Sequence, residues 1–306
     1  MITQYTTIQW LFFFYLYSFL GWCYESTYVS IKKKQFVNRG FMLGPFLPLY
    51  GSGAIMMLVV SYPFRDNIIL TYFAGCVGAT LLEYITGVSM EALFKVRYWD
   101  YSQKKFNFQG HICLAATAAW GFFTIIMTRI IHAPIEALVL SIPYTVLKII
   151  TVILSAYIIA DFSLSFKTAL DLRDVLVKME RIKDELIKMQ RRVDVLIAFA
   201  GDGKEKEDTV QNMNERADNI IAGLEEKFGR LKDMMPKLEL SEERKEELAE
   251  LRIKLGVHKE RRFQLSHMKD FYRRAMIKGN PSMVSVKFKE ALEDVKKAVS
   301  EGRNQS

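Results

Sequence analysis

Three charged side chains stand inside long apolar runs, where their chemistry differs from anything a lipid can supply. Glu25 and Glu83 are carboxylates and Lys148 is an ammonium, each with hydrophobic residues on both sides. Counted along their segments at about 1.5 Å per residue, all three fall at similar depth, in one half of a bilayer. A lone charge near the bilayer centre costs at least about 2.5–3.5 kcal/mol, so opposite charges at one depth should meet. The spacing predicts an intramembrane pair of Lys148 with Glu83, with Glu25 as competitor or third member. A four-residue step through Gly75, Ala79, Glu83, Gly87 and Glu91 marks one helical face. Small residues there let another helix approach closely, so Glu83 should face protein rather than lipid. Glu91 has Lys95 four residues on and is expected to pair with it at the membrane interface. Tyr98, Trp99 and Tyr101 suit a headgroup-level aromatic belt.

These side chains need elements to hold them. The chain has 306 residues, half of them hydrophobic, with a net charge of +8. Apolar residues crowd into 1–160 and charges into 161–306, which predicts a transmembrane bundle followed by a separate helical domain. About five segments approach the roughly 20 residues that a bilayer needs: Ile8 to Val29, Gly44 to Ser61, Asn67 to Phe94, His111 to Ile131, and Pro134 to Ala160. The second opens on Gly44-Pro45-Phe46-Leu47-Pro48 and is a poor straight helix, open to a broken or re-entrant form. Lys32, Lys33, Lys34 and Arg39 fill one connection, and Lys95, Arg97, Lys104 and Lys105 another. The alternate connections carry only Arg65 with Asp66, and Arg129 with His132. Positive charge marks the inner side, so the N-terminus should lie outside and the charged half in the cytoplasm. The expected location is the plasma membrane, multi-pass.

Other classes find little support. Cys23, Cys76 and Cys113 are isolated in apolar segments and show no ligand spacing, so neither a disulfide framework nor a metal site is expected. Basic loops have a topological explanation, so nucleic acid is not an expected partner. No nucleophile stands beside a base, and no Gly-rich nucleotide loop is present, so the chain should be neither an enzyme nor an ATPase, and no cofactor is expected.

The charged half reads as helices. Leu172, Val175, Met179, Ile182, Leu186, Met189, Val193 and Leu196 repeat at 3,4 spacing, a coiled-coil pattern. Gly201-Asp202-Gly203 interrupts it, and Val210, Met213, Ala217, Ile220, Leu224, Phe228, Leu231 and Met235 follow, ending at Pro236. An antiparallel helical hairpin is the expected solution. A third helix should run from Ser241 to about Lys278 and a fourth from about Ser285 to Ser300. Arg261, Arg262, Lys269, Arg273, Arg274 and Lys278, interleaved with Phe263, Phe271 and Tyr272, form a basic amphipathic candidate for an anionic lipid surface.

Three blocks carry a wider likeness: Phe19-Leu20-Gly21-Trp22-Cys23-Tyr24-Glu25; Asn38-Arg39-Gly40-Phe41 with Gly44 to Gly51; and Glu91, Phe94, Trp99-Asp100-Tyr101-Ser102, Asn107, Gly110, Ile112-Cys113-Leu114 and Trp120-Gly121. In this order they resemble the putative ABC-transporter type IV family of bacterial CmpB-like permeases, over about residues 18–121. His111 departs from a common arginine and Leu47 from a common cysteine. The resemblance implies a polytopic permease-like protein, served by a separate ATPase subunit. It gathers Glu25, Arg39, Glu83, Glu91, Arg97, Asp100, Asn107 and His111 into one inner-face constellation able to bind a polar ligand, a headgroup or a cation. The expected function is a permease or ligand-binding membrane component. The competing one is a membrane-anchored coiled-coil scaffold or sensor recruiting cytoplasmic partners; a homo-oligomer stays open.

Overall fold

The computed structural model describes residues 5–200, 215–234, 241–267 and 270–301. The chain forms two compact units, and neither is contiguous in sequence. Unit 1 is Met1–Arg173 with Asp270–Lys287; unit 2 is Asp174–Lys269 with Phe288–Ser306. A break at residue 160 was the expectation. Instead, residues 270–287 return to the first unit, and one helix runs through the break without interruption.

In unit 1, α1 (Thr7–Lys33) starts at a capping box in which Gln9 N donates to Thr6 Oγ1 and Thr6 N to Gln9 Oε1. It ends with Lys34 in the left-handed region. The irregular stretch that follows is tied to α1: Trp22 Nε1 donates to Asn38 Oδ1 (2.6 Å), and Ser26 Oγ accepts from Arg39 N (3.1 Å). α2 (Pro48–Ser61) opens with proline in its first turn, where the missing N–H costs nothing. α3 (Ile68–Phe94) is capped by Asn67, whose Oδ1 accepts from Ile69 N and Leu70 N. A short hairpin follows, with β1 (Asn107–Phe108) antiparallel to β2 (Ile112–Cys113).

The next break is not where loop composition places it. α4 (Leu114–Ile126) continues through a π-helical turn (Met127–Ile131) into α5 (His132–Ser141), so Arg129 and His132 lie within helical backbone. His132 N–H reaches five residues back to Met127 O. Pro134 has no N–H to give to Ile130, and the wider turn just before it accommodates that loss. The chain actually turns at Ile142-Pro143. α6 (Tyr144–Ala200) then runs unbroken for 57 residues.

Among the described residues, three helical stretches are long and apolar enough to cross a membrane: Ile68–Phe94, Leu114–Ser141 and Tyr144–Ile197. Phe13, Tyr17, Ala54, Met57, Ala79, Met127, Val139 and Leu147 form the main core of the bundle, with Trp120 packed against it.

Unit 2 buries the heptad face of α6. Ile182, Leu186, Met189, Val193 and Leu196 pack with Ile220, Leu224 and Leu231 of α7 (Ala217–Met234) and Leu248 and Leu255 of α8 (Glu242–Ser266). The partners of the heptad pattern are thus helices of the same chain. The expected hairpin is not what forms. Lys227 pairs with Asp194, while Glu290 bridges Lys183 (2.7 Å) and Ala217 N (2.7 Å), so α7 runs parallel to α6. α8 is the antiparallel partner: Glu247 meets Arg192, His258 meets Glu185, and Arg262 Nη1 donates to Met179 O. At about 3.4 Å per extended residue the connection to α7 is long enough for the return that a parallel helix requires. Gly201-Asp202-Gly203, Val210, Met213, Met235 and Pro236 lie outside the described residues. The single helix expected from Ser241 to Lys278 is two, α8 and α9 (Phe271–Gly279), which belong to different units; α10 (Lys289–Glu301) completes unit 2.

Candidate functional site

The polar residues of unit 1 gather where α1 and α3 end and α4 begins. Glu83, on the α3 face that carries the small residues, is 5% exposed. Its Oε1 accepts from Tyr101 Oη (3.0 Å) and its Oε2 from Trp120 Nε1 (2.9 Å). The stripe lets α4 come close: a Cβ on Gly75 would meet Thr124 Oγ1 at 2.1 Å, and one on Gly87 would meet His111 Nδ1 at 2.9 Å. Lys148 does not reach Glu83. It is exposed on α6 and makes no ion pair among the described residues, whereas Glu83 points between α4 and the 95–113 loop. Depth brought the two together on paper; helix rotation keeps them apart. Tyr101 correspondingly turns inward rather than joining an aromatic belt.

Glu25 Oε1 accepts from Tyr50 Oη at 2.5 Å, and Arg39 Nε lies 3.8 Å from Glu25 Oε2. Glu91 Oε2 takes Arg97 Nε (2.8 Å) and His111 Nε2 (3.0 Å), not Lys95, which caps α3 in the left-handed region. Arg97 Nη1 extends to Asp100 Oδ1 and Ser102 Oγ, both at 3.5 Å. Asp100 Oδ1 also accepts from Ser102 N and Oγ. Asn107 staples the loop, donating to Ser102 O and Lys104 O and accepting from Gly110 N. Gly110 has φ +74°, and a Cβ there would lie 2.5 Å from Arg97 Nη1. The turn therefore demands glycine on both counts. Six of the eight candidates thus form two ion-paired groups, Glu25–Arg39 and Glu91–Arg97–His111–Asp100. Glu83 stands apart with neutral donors, and Asn107 is structural.

Charge at this end follows from burial and neighbours. Burial, then the Arg97 cation, holds the His111 imidazole below its ordinary range against the pull of Glu91 and Asp100. Burial pushes the Asp100 carboxyl up, but the Ser102 hydrogen bonds and Arg97 outweigh it and hold it low. Burial lowers the Arg39 guanidinium, with Glu25 opposing.

Sequence reasoning missed a second set of residues here. Arg39 Nη1 donates to Asn280 Oδ1 (2.9 Å) and Gly279 O (3.4 Å), and Nη2 to Ser282 Oγ (3.0 Å) and Tyr98 O (3.4 Å). Asn280 is 1% exposed and donates to Gly40 O (2.7 Å). Arg97 and Val284 form an antiparallel bridge, and Ser285 Oγ donates to Lys95 O (2.6 Å). Residues 270–287 therefore strap the two basic loops together, about 240 residues from the first and about 190 from the second, and much of Arg39 is engaged by that strap. The Asn280-Pro281 pair was legible only as a helix breaker. Asp161 was missed too: its carboxylate accepts from Leu43 N and Gly44 N and fixes the turn into α2.

The basic lipid-surface set is divided between the two units. Arg262 is 5% exposed and pairs with Glu290 (2.9 Å) and Asp294 inside unit 2. Arg261 is exposed on α8; Arg273 and Arg274 are half-buried and Lys278 exposed on α9; Lys269 lies outside the described residues. The break after Ser266 is what divides them.

A helical fold with stretches long and apolar enough to cross a membrane fits a membrane protein. Residues 12–166, just over half of the chain, match the model of the putative ABC-transporter type IV family, and the chain belongs to that family. No curated protein and no solved structure matches it.

Proposed function

We propose that this chain is a permease-like, ligand-binding membrane component whose site is the carboxylate-lined loop end, and that its ligand carries positive charge. The observation that supports this is Glu83: a carboxylate 5% exposed, held by two neutral donors, with no cation beside it among the described residues. A buried carboxylate left without a counter-charge is costly, and a cationic ligand supplies one. In this reading five apolar segments span the plasma membrane, with the N-terminus outside and the loop end and unit 2 on the cytoplasmic side. An ATPase, if transport is driven by one, is a separate subunit, and the chain itself carries out no covalent chemistry. Titrating the purified protein with alkylammonium ions from methylammonium to tetraethylammonium tests the proposal. Saturable thermal stabilisation by at least one ion, lost in Glu83→Gln, is the expected result; no stabilisation by any of them would sink it.

One observation favours the scaffold reading. The 57-residue α6 and the packed core of unit 2 make a second body with more structure than an anchor requires. Partner binding that survives Glu83→Gln and disappears on disrupting the core with Leu186→Asp is the outcome that reading expects.

A further inference from the structure

At the other end of the bundle, where α1 begins, four titratable side chains join in one hydrogen-bonded chain. Tyr17 Oη lies 2.7 Å from His132 Nδ1, His132 Nε2 lies 3.2 Å from Tyr5 Oη, and Tyr5 Oη donates to Glu136 Oε1. The π turn ends at His132 and sets the ring against α1, where Phe13 packs edge-on at 5.3 Å between centroids. Tyr17 is 4% exposed, while Tyr5, His132 and Glu136 are half-buried, so the chain leads from a solvent-reachable carboxylate to a buried hydroxyl.

Donor accounting gives this chain a single direction. The Glu136 carboxylate only accepts, so the one proton of Tyr5 goes to it. Tyr5 oxygen must then accept from His132 Nε2–H. With that tautomer Nδ1 carries a lone pair, which accepts from Tyr17. Every proton is used once and every acceptor is filled. Among the described residues no other titratable group is hydrogen-bonded to the ring: α2 offers only Tyr50, whose hydroxyl is on Glu25, and Lys148 of α6 is exposed.

We propose that Glu136, Tyr5, His132 and Tyr17 form a proton relay, and that the proton is a co-ion of this protein. In one step Tyr17 passes its proton to His132 Nδ1, Nε2 passes its proton to Tyr5, and Tyr5 passes its proton to Glu136. A proton from the interior restores the Tyr17 hydroxyl, so one proton has entered at Tyr17 and one has appeared on the carboxyl. Until that proton arrives the chain holds one negative charge, on Glu136 before the step and on the Tyr17 oxygen after it; loss of the Glu136 proton to solvent and a flip of the His132 ring restore the starting state, and the reverse sequence carries a proton inward. Tyr17 and Glu25 are eight residues apart on α1, about 12 Å by helical rise, so the relay ends two turns short of the carboxylates at the loop end. What the proton would drive rests on the ligand-binding reading; the relay itself does not.

The full-length protein, reconstituted in liposomes that hold a pH-sensitive dye and are voltage-clamped with potassium and valinomycin, is given a pH step. Wild type is expected to move protons faster than empty vesicles. His132→Gln keeps a donor and an acceptor but cannot take up and pass on a proton, and it should lower that flux at least tenfold; Tyr17→Phe should do the same. Flux in His132→Gln equal to wild type, or wild-type flux no faster than empty vesicles, overturns the relay. Should His132→Gln not fold, nitrogen-15 NMR of labelled histidine decides. A neutral Nε2–H tautomer whose Nδ1 signal moves in Tyr17→Phe supports the relay, and an Nδ1–H tautomer overturns it. Neither readout needs an alkylammonium ion, so loss of the ligand reading and loss of the relay are separate results.

Discussion

Two ionisable side chains, one in each unit, are buried to the same degree and handled in opposite ways. Arg262 of unit 2 and Glu83 of unit 1 are each 5% exposed. Arg262 is met by Glu290 and Asp294, and Glu290 in turn takes Lys183 and Ala217 N. Burial pushes the Glu290 carboxyl up, yet Lys183, the Ala217 N–H and Arg262 outweigh it and hold it low. Glu83 receives two neutral hydrogen bonds and no cation among the described residues. A charge matched by its own fold holds helices in register. A charge left unmatched is where a ligand has something to add.

The sharpest way to break this comparison is to remove the matched charge. Arg262→Ala removes the buried cation that Glu290 and Asp294 share, leaving them Lys183 and Arg216, and should cost about 3 kcal/mol, read as an earlier chemical unfolding transition of the unit 2 helices. A cost below about 1 kcal/mol would mean that the network is incidental. Gly279→Ala comes next. Its Cβ would lie 2.4 Å from Asn38 O, so the strap must shift, at about 1–3 kcal/mol. Faster hydrogen exchange at 38–40 and 95–98 is the expected sign. Glu83→Gln should cost only about 1 kcal/mol, since the amide keeps one acceptor for its two donors. If it destabilises the protein as much as Arg262→Ala does, Glu83 is structural after all.

The smallest effect is local and depends on pH. His111 has its folded pKa below the unfolded value of about 6.5, so between the two the unfolded chain binds more protons. The contribution of His111 is complete above about pH 6.5 and declines as the pH falls through that window towards the folded value. Exchange protection of the 97–111 loop should therefore be lower at pH 5.5 than at pH 7.5, and His111→Gln should flatten the difference.

Local signals in the sequence served well where the decisive contact is near in the chain. The Asn67 to Phe94 segment, the stripe through Gly75 and Gly87, and the heptad face of α6 all survive into the structure, because each rests on a helical repeat. They failed where rotation or a long return decides. Lys148 has the right depth but the wrong face, and α7 runs parallel to α6 because its connection is long enough to allow it. Glu91 prefers Arg97 and His111 to Lys95 because helix α3 stops at Lys95 and the loop folds back over it.

By itself, then, the sequence determined the segregation of apolar and charged halves, the helical class, the family and the burial of Glu83, since composition and periodicity act over a few turns of chain. Tertiary structure alone decided which partners those residues have. It set Tyr101 and Trp120 on Glu83, the strap on Arg39, Glu290 and Asp294 on Arg262, and the tyrosines on His132. Each of these contacts joins residues more than a dozen positions apart, and only packing, helix rotation and the geometry of hydrogen bonds choose among such pairs.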